Sequence, residues 1–281
     1  VLIVNGNEIS IIYSNDPQKV DYKKYGIKKA TILDNTGAWR DEDGLKQHVK
    51  NPSVERVIVT APGLGKVKNI VYGVNDDKAS PDDKMLAAAS CTTNAIVPVL
   101  KVIDENYTCQ SGHIETVHAY TNDQNLIDNY HPSDRRGRSA ALNLVITDTG
   151  AAKAVSQIMP EMKGKLTANA IRVPTPNVSL AIMNLNVKKS VSVEELNKCF
   201  REVAFHSKLK TTIDYTNAID AVSSDFYSNE FAVVFDSQAT ISNFNSVTIY
   251  CWYDNEYGYS KQVVRLLKKV LGINLIRYPK Q

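Results

Sequence analysis

The sequence predicts an α/β fold for its first 90 residues and an α+β fold for most of the remainder. In the first part, short apolar runs alternate with polar, helix-compatible sequence, which is typical of buried parallel strands separated by helices. In the second part, strand-like runs outnumber helices, which indicates a mostly antiparallel sheet with helices set apart from it. A length of 281 residues is sufficient for two such domains.

The first part opens with a predicted hairpin. Val1–Val4 and the alternating run Glu8–Tyr13 flank Asn5-Gly6, a pair that readily adopts the two positive φ angles of a type I′ turn. Three buried strands are then expected at 30–33, 57–60 and 70–73, with a helix at 41–49.

The second part begins with a predicted helix over Cys91–Tyr107, where apolar residues recur at helical spacing. Further helices are expected over Thr149–Ile158 and from Ser192, which forms a capping box with Glu195. The predicted strands of this part lie at 113–118, 178–187, 231–235 and 247–253. A last helix over Tyr259–Leu271 ends before Gly272, a residue suited to the turn that follows a helix.

Composition and charge exclude several classes of protein. The 33 basic and 30 acidic residues leave a formal charge of +3, too small to demand nucleic acid or a membrane surface as partner. No stretch approaches the roughly 18 apolar residues of a membrane span, and the first residues do not resemble a signal peptide. Four widely spaced cysteines fit reduced thiols better than disulfides or a metal site. We therefore expect a cytoplasmic protein without metal, and the start at Val1 inside a strand-like run suggests a fragment.

Cys91 is the first candidate for chemistry. It lies at the predicted N-terminus of a helix, where unpaired N–H groups and the helix dipole lower the pKa of a thiol. Position alone leaves two interpretations open, because a free cysteine is more often a small buried apolar residue than a nucleophile.

Six segments carry a resemblance to a known family. They are Ala89-Ser90-Cys91-Thr92-Thr93-Asn94, His118–Gln124, Arg135–Arg138, Thr149–Lys153, Arg172–Val178 and Trp252–Glu256. In sequence and order they closely resemble the phosphorylating glyceraldehyde-3-phosphate dehydrogenases. The resemblance implies a Rossmann-type dinucleotide-binding domain at 1–91, without its first βαβ unit and completed by a C-terminal helix at 256–281. It places a catalytic domain at 92–255.

The resemblance also implies a mechanism. Cys91 would attack an aldehyde, the thiohemiacetal would lose a hydride to the nicotinamide of NAD, and inorganic phosphate would cleave the resulting thioester. His118 matches the family's base, which takes the proton as hydride leaves and whose imidazolium form can hold Cys91 as thiolate.

Two anion sites are implied beside Cys91, for the substrate's phosphate and for the attacking phosphate. Ser90, Thr92, Thr149 and Gly150 match the site for attacking phosphate, with Thr149-Gly150 at the start of a helix. Thr121 and Arg172 match the pair that binds the substrate's phosphate, and Arg136 serves between the two sites. The loop over 121–143 resembles one that meets a neighbouring subunit, which implies a homotetramer.

The cofactor half is incomplete in this sequence. Gly63-Leu64-Gly65 lacks the G-x-G-x-x-G spacing, because Lys68 stands where the third glycine is needed. Cofactor contacts are expected only at Thr36, Gly37, Thr60, Ala61, Asn255 and Tyr259. NAD is the expected cofactor, and NADP stays an alternative because the residue that reads the ribose is not in the chain.

Several alternatives remain open. The segment Asn69–Asn75 and the pair Asp123-Gln124 resemble the erythrose-4-phosphate dehydrogenases, whereas Thr121 agrees with the glyceraldehyde enzymes. We favour the three-carbon aldehyde. A hydrolase or acyl transferase that uses Cys91 and His118 alone, and a catalytically inert fragment, are the other two interpretations. Ala95 replaces a second cysteine found in many family members, which does not affect the mechanism.

Overall fold

The computed structural model describes residues 1–273 and opens with the predicted hairpin. Strand β1 (Leu2–Val4) pairs antiparallel with β2 (Asn7–Ile9). Asn5 and Gly6 have φ angles of 49° and 77°, as a type I′ turn requires. The second strand ends at Ile9 and does not reach Tyr13 as predicted. Its last residue pairs with Leu2, the first of β1, so that the residues beyond it have no partner strand.

A four-stranded parallel sheet follows. Its strands are β3 (Ala30–Asp34), β4 (Val54–Val59), β5 (Lys68–Asn69) and β6 (Met85–Ala87), in the order β3-β4-β6-β5. Helix α1 (Glu42–Val49) connects β3 to β4, and the Asp41 side chain caps it by accepting the Gly44 N–H at 2.8 Å. The expectation of parallel strands that alternate with a helix is therefore confirmed.

The predicted strand at 70–73 is wrong. The ladder covers only Lys68–Asn69, and Ile70 and Val71 continue as buried irregular backbone. The Ile70 N–H donates to the Ala87 carbonyl, and the Asn75 side chain accepts the Val71 N–H at 2.7 Å. The Asn75 side chain thus accepts a backbone hydrogen bond that a neighbouring strand would otherwise accept. A short apolar run in the sequence does not distinguish these two arrangements.

The remaining strands form an eight-stranded mixed sheet. They are β7 (Cys109–Ala119), β8 (Val145–Thr147), β9 (Leu166–Val173), β10 (Ser179–Val187), β11 (Ile213–Thr216), β12 (Val233–Asp236), β13 (Ile241–Asn243) and β14 (Ser246–Tyr253). Seven follow the order β11-β12-β14-β10-β7-β9-β8, and β13 pairs with β14. Only the β7/β9 and β11/β12 pairs are parallel, so the mostly antiparallel sheet is confirmed. Strands β8, β9, β11 and β13 were not predicted.

Five α-helices are present in residues 1–273. After α1 come α2 (Cys91–Tyr107), α3 (Ala151–Ile158), α4 (Val193–His206) and α5 (Tyr257–Val270). The predicted bounds of α2 are confirmed, as is the capping box of Ser192 and Glu195 at α4. Helix α3 begins two residues later than predicted, so Thr149 and Gly150 precede it.

The largest apolar core lies around α2. Ile96, Leu100 and Ile103 are fully buried and pack with residues of β7, β10, β14, α3 and α4. A second core joins α5 to the parallel sheet, where Val263 and Leu266 pack with Ile58 and other residues of that sheet. Cys91 therefore stands at the end of a helix held from several sides, which fixes its position.

The C-terminal helix starts two residues before Tyr259 and ends one residue before Leu271, and Gly272 follows with φ of 65°. Of the predicted span 256–281, residues 274–281 lie outside the described part. The domain division at 1–91 with 256–281 and at 92–255 stays a prediction. In residues 1–273, none of the helices combines the length and apolar character that crossing a membrane requires.

Candidate active site

Cys91 is the first residue of α2 and follows β6 after a tight connection. Ala89 has φ of 56°, an uncommon left-handed conformation for a residue with a side chain. Ser90 is the N-cap: its Oγ accepts the Thr93 N–H at 3.0 Å and lies 2.7 Å from the Thr93 hydroxyl. This local bonding sets the thiol at the helix terminus, as the sequence predicts.

His118 faces the thiol from near the end of β7. Its Nε2 lies 3.6 Å from Cys91 Sγ, and its ring is 5 % exposed. Its Nδ1 lies 2.7 Å from the Ala119 carbonyl oxygen, which can only accept a hydrogen bond. The proton is therefore assigned to Nδ1, which leaves the Nε2 lone pair directed at the thiol. In this tautomer, His118 can take a proton from Cys91.

The electrostatics favour a neutral pair. Burial raises the pKa of the Cys91 thiol, and this outweighs the Thr92 hydrogen bonds and the Arg172 charge that lower it. Burial and the Arg172 guanidinium lower the pKa of His118 to about 4. The expected lowering of the thiol pKa at the helix N-terminus is thus wrong for this arrangement, because desolvation is the larger effect. A neutral thiol faces a neutral base.

Arg172 reaches the same place from β9, where it pairs in register with His118 of β7. Its Nη1 donates to the Ala119 carbonyl and to the Thr121 hydroxyl, each at 3.0 Å. The same nitrogen lies 2.8 Å from His118 Nδ1, close enough to disfavour a charged imidazolium. Its Nε is buried without a partner, so that the guanidinium retains donor capacity.

Arg136 supplies a second guanidinium. Its Nε donates to the Thr147 hydroxyl at 3.0 Å, and its Nη2 lies 3.4 Å from the Asp148 carbonyl. Its Nη1 forms an ion pair with Asp123, which also accepts a hydrogen bond from the Thr121 hydroxyl. Two cationic groups therefore stand beside the thiol and its base.

A cavity of about 240 Å³ joins these groups. Eight of the predicted residues line it: Ser90, Cys91, Thr92, His118, Arg136, Thr149, Gly150 and Arg172. Thr121 is not among its lining residues and reaches the site through Arg172. The sequence predicted that Thr149 and Gly150 begin α3 and bind the attacking phosphate there. Because α3 begins two residues later, the first N–H of the helix is that of Ala151, and it donates to the Thr149 hydroxyl at 3.3 Å. That first N–H of the helix is thus already engaged.

Two residues near the site were not identified from the sequence. Tyr253 is 1 % exposed, its hydroxyl lies 3.1 Å from the Thr92 hydroxyl, and its ring packs edge-to-face on His118 at 5.9 Å. Burial raises the pKa of the Tyr253 phenol. The second is Asp123, which was noted only for its resemblance to another family and not for its ion pair. The inward-facing position of Tyr253 at the end of an alternating strand was the available signal.

The predicted cofactor residues lie outside this cavity. Thr36 and Gly37 follow the carboxyl end of β3, and Thr60 and Ala61 follow that of β4. Since β6 ends just before Cys91, these positions share the edge of a parallel sheet at which ligands bind. Asp34 closes β3, but its buried carboxylate is engaged by the Thr36 N–H and hydroxyl and by His48, so it is not free to bind a ribose.

Asn255 and Tyr259 are hydrogen-bonded to segments that adjoin His118 and Cys91. The Asn255 Oδ1 accepts from the Ser179 hydroxyl at 2.8 Å, and that hydroxyl accepts the Ala119 N–H. The Tyr259 hydroxyl donates to the Ala89 carbonyl at 2.8 Å, two residues before the thiol. The described residues thus place both predicted cofactor side chains near Cys91 and His118, with one polar atom of each engaged by the protein itself.

A metal is not indicated by the described residues. Among residues 1–273, histidine, cysteine and acidic side chains form no group of three that could hold an ion. The four cysteines are free thiols.

Comparison with known proteins identifies the family. Residues 90–255 match the family model for the C-terminal domain of glyceraldehyde 3-phosphate dehydrogenase. The chain is 56 % identical over 279 residues to a glyceraldehyde-3-phosphate dehydrogenase-like protein of Pseudomonas aeruginosa, covering 99 % of this chain and 60 % of that protein. It is 40 % identical over 276 residues to the glyceraldehyde-3-phosphate dehydrogenase of Borreliella burgdorferi, covering 96 % of this chain and 82 % of that protein.

A third relative, glyceraldehyde-3-phosphate dehydrogenase 2 of Bacillus subtilis, is 40 % identical over 271 residues, covering 96 % of this chain and 78 % of the relative. The chain belongs to the glyceraldehyde-3-phosphate dehydrogenase family. It spans less than two thirds of the length of the Pseudomonas relative.

Proposed function

We propose that the full-length protein oxidises glyceraldehyde 3-phosphate with a nicotinamide dinucleotide and inorganic phosphate, to give 1,3-bisphosphoglycerate. The observation that carries this proposal is the 3.6 Å contact between Cys91 Sγ and His118 Nε2, in a cavity lined by Arg136 and Arg172. A nucleophile, its base and two anion-binding cations are what this reaction needs.

The chain's own residues account for the proton transfers. As the Cys91 sulfur bonds to the aldehyde carbon, His118 Nε2 takes the thiol proton and returns it to the new alkoxide, giving a thiohemiacetal. His118 is neutral again and can accept the hydroxyl proton as the carbon is oxidised to a thioester. Phosphate oxygen then attacks the thioester carbon, the C–S bond breaks, and the sulfur leaves as a thiolate that His118 can reprotonate.

The cofactor supplies a single function in this scheme. A bound nicotinamide would accept the hydride from the thiohemiacetal carbon. Asn255 and Tyr259 would hold its reactive end, and Thr36, Gly37, Thr60 and Ala61 would contact it at the sheet edge. NAD is the proposed cofactor, with NADP as the alternative.

We propose two anion sites among these polar groups. Arg172 and Thr121 are hydrogen-bonded to each other and together would bind the substrate's phosphate. Ser90, Thr92, Thr149 and Gly150, which line the cavity, would bind the attacking phosphate, with Arg136 serving between the two sites.

We further propose a cytoplasmic homotetramer. The loop over 121–143 exposes large apolar side chains: Leu126 is 64 %, Ile127 75 %, Tyr130 86 % and Leu142 82 % exposed. A concentration of apolar groups on one loop favours burial against another subunit. Sedimentation velocity on the full-length protein tests the assembly state.

The test of the proposed reaction is the Cys91→Ser variant of the full-length protein. We expect it to form no NADH from glyceraldehyde 3-phosphate, NAD and phosphate, whereas Cys199→Ser, which changes a thiol outside the cavity, retains activity. Substantial turnover by Cys91→Ser would refute the assigned nucleophile. Comparing kcat/KM for glyceraldehyde 3-phosphate and erythrose 4-phosphate, with and without phosphate, decides between the two substrates.

A further inference from the structure

Asn69 holds the loop that follows β4. It is half-buried on β5, the strand at one edge of the parallel sheet. Its Oδ1 accepts the Gly63 N–H at 2.9 Å, and its Nδ2 donates to the Gly63 carbonyl at 3.1 Å. One side-chain amide therefore engages both backbone groups of a loop residue, which fixes the position of that residue.

Gly63 also lies close against the sheet. Any other residue at this position would place its Cβ 2.9 Å from the Ala87 Cβ, which is closer than packed side chains come. The loop therefore contacts β6, the strand that leads to Cys91. Pro62, the residue before Gly63, lines the active-site cavity. Asn69 thus supports one wall of the cavity without lining it.

The same amide also contacts α3. Asn69 Nδ2 donates to Gln157 Oε1 at 3.3 Å, which joins the parallel sheet to this helix. Ala154 lies one turn before Gln157 and lines the active-site cavity. Thr149 and Gly150, just before α3, line it too. A single side chain thus links the loop after β4 to the helix beside the proposed site for the attacking phosphate.

The backbone of Asn69 is itself held in place. It pairs with Ala87 of β6, and the following Ile70 N–H donates to the Ala87 carbonyl at 2.8 Å. The Asn75 Nδ2 donates to the Asn69 carbonyl at 2.9 Å, and Asn75 is buried. The amide therefore projects from backbone that other groups fix, as a residue that positions a site requires.

We propose that Asn69 is a positioning residue for the attacking phosphate, because its amide holds Pro62 and α3 at the separation that the phosphate site requires. This inference rests on the proposed function. Hydrogen bonds weaken steeply as their geometry departs from the optimum, so a change in this separation weakens phosphate binding. The substrate's own phosphate is proposed to bind Arg172 on β9 and Thr121 just after β7, and binding of the aldehyde should therefore change little.

The experiment compares Asn69→Ala with the wild type in the full-length protein. Rapid mixing with glyceraldehyde 3-phosphate and NAD, without phosphate, gives the rate of acylation from the burst of NADH. Discharge of the acyl-enzyme by added phosphate gives the phosphate concentration for half-maximal rate. We expect that concentration to rise about five-fold, as for the loss of one net hydrogen bond, while the acylation rate and the KM for the aldehyde stay within about two-fold.

Gln157→Ala tests the link to α3 alone. Gln157 is exposed and lies outside the active-site cavity, so this variant leaves the contacts between Asn69 and Gly63 in place. It should raise the half-maximal phosphate concentration about two-fold to three-fold. Isothermal titration calorimetry with inorganic phosphate measures binding without turnover, and saturating glycerol 3-phosphate fills the substrate's site. The phosphate Kd should increase from wild type to Gln157→Ala to Asn69→Ala.

Asn186→Ala is the matched control. Asn186 Nδ2 donates to the Ser111 hydroxyl at 3.1 Å between β10 and β7, and Asn186 is not among the residues that line the cavity. The variant loses the same kind of side-chain hydrogen bond at another place. Its phosphate Kd and its discharge by phosphate should stay within about two-fold of the wild type.

Two outcomes would overturn the proposal. An unchanged or lower phosphate Kd in both Asn69→Ala and Gln157→Ala would mean that the amide does not set the phosphate site. An equal change in acylation and in discharge would mean that Asn69 only stabilises the fold. If Asn69→Ala does not fold, the same two criteria apply to Gln157→Ala. Since calorimetry requires no catalysis, a protein without dehydrogenase activity would contradict the proposed function and still give a result for Asn69.

Discussion

The burial of His118 leads to a quantitative prediction about the stability of the protein in acid. His118 is 5 % exposed, and burial together with Arg172 lowers its pKa from 6.5 to about 4. Between these two pKa values the unfolded chain binds a proton that the folded protein does not. The free energy of unfolding therefore decreases as the pH falls. From about pH 7.5 to about pH 4.5 the loss integrates to about 2.5 kcal/mol, at about 1.36 kcal/mol for each pKa unit.

The perturbation is His118→Gln, which removes this titration and keeps a polar side chain. Equilibrium urea unfolding at the two pH values gives the free energy of unfolding for each protein. We expect the wild type to lose about 2.5 kcal/mol more than the variant on acidification. His113→Gln replaces another histidine of β7, one that bonds Thr167 and Asn169 and not the thiol, and should keep the wild-type response.

If the free energy of unfolding falls by the same amount in the wild type and in His118→Gln on acidification, the reasoning is refuted. It would mean that the imidazole has the same affinity for a proton in the folded and unfolded states. An opposite sign, with the wild type gaining stability in acid relative to the variant, would indicate an imidazolium stabilised by a Cys91 thiolate.

Three other predictions concern the same groups. In the pH–rate profile, kcat/KM should fall on the acid side near pH 4, because burial lowers the pKa of His118 to about 4 and the base stays neutral above that pH. A fall near pH 6.5 would contradict the burial argument. Tyr253→Phe removes the hydroxyl bonded to Thr92 and should lower the free energy of unfolding by about 1 kcal/mol in urea titration. Ser90→Ala removes the cap that accepts the Thr93 N–H and should cost about 1 kcal/mol in the same assay, with unchanged stability arguing against the cap.

Local signals in the sequence predicted the elements that depend on local physics. The helix over Cys91–Tyr107 is confirmed, because apolar residues at helical spacing indicate it even though Pro98 lies within it. The hairpin at Asn5-Gly6 is confirmed for a similar reason, since the turn residues determine the turn type.

Elements that depend on distant partners were less predictable. Strand β9 carries Arg172, but small and polar residues interrupt its apolar pattern, so it becomes recognisable only when paired with β7. Ile70 and Val71 have the composition of a strand, yet Asn75 and Ala87 satisfy their backbone in a different way. The direction of the Cys91 pKa shift depends on burial, which three-dimensional packing decides.

Tyr253 and Asp123 were missed as parts of the site because their roles depend on contacts that only the folded chain brings together. Tyr253 reaches Thr92 across 161 positions, and Asp123 meets Arg136 across a loop. Motif resemblance supplied eight of the residues that line the cavity, whereas the contacts that these residues make became visible only in the structure.

The most direct test of the central claim is to trap the acyl group on the Cys91 sulfur. The full-length protein is incubated with glyceraldehyde 3-phosphate and NAD in buffer without inorganic phosphate, quenched in acid, and digested for mass spectrometry. The account predicts an acyl adduct on the peptide that contains Cys91, which disappears when phosphate is added before the quench. An adduct on another cysteine, or NADH formation with no covalent adduct at all, would contradict it.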